Sequence, residues 1–227
     1  MEPDGPASLI VFDCDGTLVD SQHAIHESAR RSGRDVLGVE PTREAVLALV
    51  GLPLRTVLDR LHPGLEPERL DQLVESYKDH YAALRAEPDR EPPLYPGTRA
   101  VLERLLSRGH SMGVATGKSR RGLEHTLDVH DLRGFFVTTW TGDDAPGKPH
   151  PGMLEGALRE AGHEPDEALM VGDTTFDLEM ARNARVPAVG VSWGYHDRTL
   201  LEDLQPLAVI DSWAELDPVI FRLRDGY

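Results

Sequence analysis

Residues 9–12, LIVF, form an unbroken apolar run that stops at Asp13, Cys14, Asp15 and Gly16. A strand with no polar face must be covered on both sides, which places it inside a parallel sheet. Comparable runs recur at 112–116 (MGVAT), 135–138 (FFVT), 168–172 (ALMVG), 187–191 (PAVGV) and 207–210 (LAVI), each closed by polar or glycine-containing residues. Segments of helical period lie among the later runs, at 119–129, 151–161, 174–184 and 214–223. This alternation predicts an α/β fold, a doubly wound parallel sheet with helices on both faces.

The first interval breaks the pattern. A βαβ crossover takes roughly 30 residues, whereas 103 positions separate Asp13 from Thr116. The surplus, residues 20–94, reads as helices at 21–33, 42–50, 54–61 and 66–85, with no strand. In the last of these Leu70, Leu73, Val74, Tyr77, Tyr81 and Leu84 form an apolar stripe. Pro88, Pro92, Pro93 and Pro96 then stiffen the return through 87–97. The expected organisation is a core from 1–19 and 95–227, with an all-helical domain, 20–94, inserted directly after the paired aspartates.

Composition narrows the partners. With 39 acidic against 24 basic residues the chain carries a formal charge of -15, which repels a polyphosphate backbone and argues against nucleic acid. A small anion can still be held where a metal or a local lysine overrides that field. The single cysteine, Cys14, excludes an intramolecular disulfide and a multi-thiolate zinc site. The acidic start MEPDGPAS has no basic leader and no segment approaches the roughly 20 apolar residues of a membrane span, so a soluble cytoplasmic protein, monomer or homodimer, is expected.

Ligands of open α/β sheets bind beyond the carboxyl ends of the strands, so the residues after each run carry the most information. They are Asp13 and Asp15, Thr116 and Gly117, Lys148, and Asp173 with Asp177. Each has an ordinary reading. Asp and Gly after a strand make turns, Thr116 to Lys118 can lead into an N-cap at Ser119, Lys148 can be a solvated loop lysine, and an Asp of GDTTFD can cap the helix that follows. Their joint occurrence at one sheet edge needs another explanation. Converging carboxylates repel unless a cation sits among them, and hard oxygen donors with room for water and phosphate suit Mg2+. A carboxylate can accept a phosphoryl group as an aspartyl phosphate. A second carboxyl can protonate the leaving oxygen and later deprotonate water, while a lysine and a hydroxyl balance charge on the phosphoryl oxygens.

In this order the residues resemble the haloacid dehalogenase superfamily. DCDGTLVDS is similar to its first motif, VATGKS to the second, KPHP to the third and GDTTFD to the fourth. The resemblance spans about residues 7–19 and 95–215, and within the superfamily GDTTFD and VSWGY are most similar to phosphoglycolate phosphatases. It implies a Rossmann-like core with a mobile helical cap after motif one, and Mg2+-dependent hydrolysis of a small phosphorylated metabolite through an aspartyl phosphate. Asp13 would be nucleophile and metal ligand, Asp15 the general acid/base with its backbone carbonyl on the metal, and Asp173 the third ligand. Thr116, Gly117 and Lys148 would bind the phosphoryl group, and Asp177 would orient the lysine or a metal-bound water. Gly117 departs from the pattern, standing where an Asn side chain is familiar.

Other residues are expected to act around this centre. Arg55, after the turn at 51–54, is a candidate for a substrate carboxylate or second phosphate, against the ordinary reading of a solvated helix arginine. His23 and His26 share one helical face and read as hinge or surface residues, Trp193 and Tyr195 as packing under a loop, and Cys14 as a buried inert thiol. A phosphomutase uses the same chemistry and passes the phosphoryl group to a sugar. A phosphoacceptor signalling module also gathers acids, Thr and Lys on a parallel sheet, but the long insert and the position of Lys148 before the GDTTFD acids argue against it.

Overall fold

The computed structural model describes residues 8–87 and 91–224 and contains six strands: β1 (Leu9–Phe12), β2 (Ser111–Thr116), β3 (Thr138–Thr141), β4 (Ala168–Gly172), β5 (Ala188–Val191) and β6 (Ala208–Ile210). All pair in parallel in the order β3-β2-β1-β4-β5-β6, a Rossmann-like doubly wound sheet. The chain builds outward from β1 to one side and then, from β4, to the other. The crevice between β1 and β4 is therefore the topological switch point. Phe12 is level with Val114 and with Val171, so Asp13, Thr116 and Asp173 all leave the sheet at the same edge.

Every residue of β1 is fully buried, as its unbroken apolar run requires. Because successive side chains point to opposite faces, Ile10 and Phe12 enter one layer, against α5 (Thr98–Ser107), α6 (Arg120–Val129) and α10 (Leu216–Arg224). Leu9 and Val11 enter the other, against α7 (Gly152–Ala161) and α8 (Thr175–Asn183). Two cores thus share one strand.

The third strand lies later than the apolar run FFVT suggests. Arg133–Phe135 form a short 3-10 turn, Val137 is exposed, and the strand is Thr138–Thr141. As an edge strand it pairs only with β2, and neighbouring helices satisfy its polar side chains: Arg120 donates to Thr139, and Glu160 accepts from Thr138 and Trp140. Two helices, α5 and α9 (Arg198–Glu202), are additional to those expected. At the start of α8 the cap is Thr174, with Asp177 reciprocating, rather than Asp173. The acidic start, 1–7, and Pro88 of the return segment lie outside the described residues.

Four helices, α1 (Gln22–Leu37), α2 (Arg43–Leu47), α3 (Leu54–Leu61) and α4 (Pro67–Ala86), fill the interval after β1, and no strand occurs there among the described residues. Helix α1 runs further than its period suggests and stops at Gly38, whose φ of 75° suits a glycine C-cap. The α4 stripe divides between two clusters. Leu70, Leu73 and Val74 pack with Leu58, while Tyr77 and Tyr81 pack beside Ile25, Ala29 and Val46. The outgoing and returning chains run side by side, with Asp20 N–H donating to Pro93 O and Tyr95 N–H to Leu18 O at 2.8 and 3.0 Å. No helix among the described residues is long and apolar enough to cross a membrane.

Phe12 is fully buried and meets Trp213 edge to face. Phe12→Ala should lower the unfolding free energy by about 3–5 kcal/mol in urea titrations; a loss below about 1 kcal/mol would contradict this packing.

Candidate active site

The end of β1 is pinned before it turns. Asp13 N–H donates to Val171 O at 2.9 Å, and the chain then folds back on itself through Gly16 N–H to Val19 O and Leu18 N–H to Cys14 O. Gly16 has φ of 91°, and a Cβ there would collide with the Asp173 carboxylate. Only glycine lets the turn pass so close to that acid. Asp173 is held in turn by Thr17, whose hydroxyl donates at 2.8 Å, and by Tyr195 N–H at 2.9 Å.

Lys148 reaches in from the loop after β3. Its Nζ lies 2.6 Å from Asp13 Oδ1 and 2.6 Å from Asp177 Oδ1, and all three side chains are essentially fully buried. Burial opposes the lysine charge, but Asp13 and Asp177 outweigh it and hold the ammonium above the ordinary lysine range. The other Asp177 oxygen accepts from the Thr174 N–H and hydroxyl, at 3.0 and 2.7 Å. One carboxylate therefore caps α8 and positions the lysine.

Burial lifts the Asp13 carboxyl to about 7, with Lys148 opposing and Asp177 adding to the rise. Asp173 is raised well above the carboxylate range by burial and by repulsion from Asp177 and Asp13. Carboxylate oxygens of Asp13, Asp173 and Asp177 lie within 4.8 Å of one another, and Asp13 Oδ2 is buried with no hydrogen-bond partner. An unpartnered buried oxygen among crowded acids fits a hard divalent cation. Asp13, Asp173 and Asp177 are the side chains placed to hold it. The Asp15 side chain is outside this cluster.

Asp15 instead forms an ion pair with Lys118, whose Nζ is 2.7 and 2.9 Å from its two oxygens, and also accepts from the Ser21 hydroxyl. Lys118 is only 8% exposed, and Asp15 keeps it charged against the burial penalty. By sequence Lys118 belongs to a turn leading to the Ser119 cap, and nothing local points to Asp15 as its partner. Its place two residues beyond Thr116 at a strand end was the available signal. Ser119 does cap α6, accepting from Gly122 N–H at 3.2 Å. Cys14 is buried and its thiol is pushed up by burial, as expected of an inert side chain.

A cavity of about 410 Å³ opens between these residues and the inserted helices. Asp13, Asp15, Thr116, Gly117 and Lys118 line its sheet side. The inserted chain touches down on Gly117, where a Cβ would lie 2.6 Å from Gly51 O and 2.9 Å from Leu52 O. No Asn side chain fits under that turn, which accounts for the glycine. Arg55 lines the cavity too, but it is half exposed and paired with Asp71. Trp193 packs edge to face on Trp213 and donates to Thr17 O, and the hydroxyl of the half-buried Tyr195 lies 3.1 Å from that of Ser21.

The haloacid dehalogenase-like hydrolase model matches residues 10–191. A phosphoglycolate phosphatase of Agrobacterium fabrum is 34% identical over 94% of this chain and 92% of its own length. The pyrophosphatase PpaX of Anoxybacillus flavithermus is 32% identical over 92% of this chain and 94% of its own. Among solved structures, a haloacid dehalogenase-like family hydrolase from Streptococcus pneumoniae superposes with a TM-score of 0.81 at 25% identity, covering 95% of this chain and 99% of that one.

Two outcomes follow from the geometry. Gly117→Val should displace the turn above it and speed amide exchange across residues 49–53; unchanged exchange would mean the turn does not rest there. In EDTA, an Asp13 carboxyl raised from 3.8 to about 7 favours the folded state while protonated, so stability should fall as pH rises from about 4 to 7. Mg2+ should therefore raise the melting temperature more at pH 8 than at pH 5, measured by thermal unfolding.

Proposed function

The chain belongs to the haloacid dehalogenase-like hydrolase family, and from that footing we propose that it is a Mg2+-dependent phosphatase of small phosphorylated metabolites, acting in the cytoplasm through an aspartyl phosphate. The observation that carries this reading is the buried Lys148, 2.6 Å from both Asp13 and Asp177, beside an Asp13 oxygen that has no partner. A carboxylate left unpartnered on one oxygen and charge-balanced on the other is suited to attack phosphorus.

Asp13 and Asp173, with the Asp15 carbonyl, would hold Mg2+. The ion would supply positive charge against the phosphoryl oxygens and the acids around them. Asp13 attacks phosphorus as the bond to the leaving oxygen breaks, and Asp15, in its protonated form, gives that oxygen a proton. Asp15 then takes a proton from the water that attacks the phosphorus of the aspartyl phosphate, and phosphate leaves with the Asp13 carboxylate restored. Lys148 and the Thr116 hydroxyl, with the chain at Gly117, receive the charge on the transferring group. Asp177 keeps Lys148 aimed, and Lys118 with Ser21 holds Asp15 at the cavity floor. Residues 20–94 act as a cap domain on the core formed by 1–19 and 95–227, excluding water during the first step. Phosphoglycolate and pyrophosphate, named for the two bacterial relatives, are the first substrates to assay.

Phosphate release from phosphoglycolate and from p-nitrophenyl phosphate should require Mg2+ and fall to background with EDTA or in Asp13→Asn. Acid quenching during turnover should trap phosphoryl label on the wild-type protein and none on the variant. Undiminished turnover by Asp13→Asn would overturn the mechanism.

A further inference from the structure

One wall of the cavity comes from α4. Tyr77, Tyr81 and Arg85 recur at intervals of four and so stand in one row along the helix. The tyrosine rings stack 6.0 Å apart and 17° from parallel. The Arg85 guanidinium lies over Tyr81, 5.0 Å from the ring centre, and its Nε and Nη1 are buried with no hydrogen-bond partner among the described residues. Ile25, Val46, Val50 and Val74 make much of the remaining wall apolar.

The other cations of the cavity are already engaged or wet. Lys118, 5.5 Å from the centre of the same Tyr81 ring, is matched by Asp15. Arg55 pairs with Asp71 and Lys78 with Glu75, while Arg121 is exposed. Arg85 as a whole is half-buried, but guanidinium donors that are buried and unused, as its Nε and Nη1 are, are unfavourable until an acceptor reaches them. A volume of about 410 Å³ also falls in the range of roughly 300–1,000 Å³ that encloses drug-sized ligands. A two-carbon acid would leave most of that space to water against apolar walls.

We infer that the cavity takes the leaving group of a phosphomonoester with a flat apolar or aromatic body and a second anion at its far end. The body lies against Tyr77 and Tyr81, and the anion meets Arg85. This rests on the phosphatase reading and adds to it the identity of the leaving group.

The test compares phosphate release by the full chain with Mg2+ from phosphoglycolate, phenyl phosphate, para-carboxyphenyl phosphate and hydroquinone bisphosphate. One or both of the last two should exceed phenyl phosphate and phosphoglycolate in kcat/KM by about 10-fold or more. Whichever gains identifies the distal anion as carboxylate or phosphate. Arg85→Gln should collapse that ratio toward one. If the variant does not fold, the comparison of esters on the wild-type protein decides. A wild-type preference for phosphoglycolate, or a ratio unmoved in Arg85→Gln, would overturn the inference. Turnover of phenyl phosphate without any gain from the second anion removes this inference and leaves the phosphatase reading standing. No phosphate from any ester brings down both.

Discussion

The structure depends on the ion pairs of one buried lysine. Lys148 has no solvent contact, and a lone ammonium in that position would cost several kcal/mol. It is tolerable because Asp13, at the end of β1, and Asp177, in the first turn of α8, meet it together. Two separate elements must arrive within hydrogen-bonding distance of a nitrogen carried by a third. Those elements are set by the parallel register of the central strands, since a slip of one residue would turn Asp13 toward the opposite layer. The same register lets the apolar residues of β1 alternate between two cores. Packing and electrostatics therefore select the same alignment.

The acids around that lysine are not balanced by it alone. Asp13 and Asp173 are both driven toward the neutral form by burial and by their neighbours. Such an arrangement costs folding stability in the metal-free protein, and what it maintains is a strong local demand for positive charge. At the α4 wall the demand reverses, since Nε and Nη1 of the half-buried Arg85 have no hydrogen-bond partner among the described residues. A molecule with a phosphate at one end and an acceptor at the other answers the second demand, and a divalent cation answers the first.

The inserted helices and the sheet edge make this cavity jointly. Gly117 has no side chain because the backbone at Gly51 and Leu52 occupies that space. What looked like a departure from a familiar motif is a steric consequence of how closely the insert approaches. The insert also supplies Tyr77, Tyr81 and Arg85 from a single helix row, so the walls around a leaving group and the centre beneath it come from different parts of the chain.

Buried strands, the helical insert and the acids, threonine and lysine at the strand ends were legible in the order of residues, because each depends on local periodicity or on position after a strand. β3 was misplaced because an edge strand needs no continuous apolar run, and Thr138–Thr141 satisfies its hydroxyls through Arg120 and Glu160. Lys118 looked like a turn residue because its partner, Asp15, is 103 positions away. Tyr77 and Tyr81 belong to an apolar stripe whose period is the same whether it faces a core or a cavity. The sequence by itself determined the parallel α/β class, the insert and the set of strand-end groups. Tertiary structure alone decided which charges are paired, which buried donors lack a partner among the described residues and how large a space they enclose, because those properties belong to contacts between distant segments.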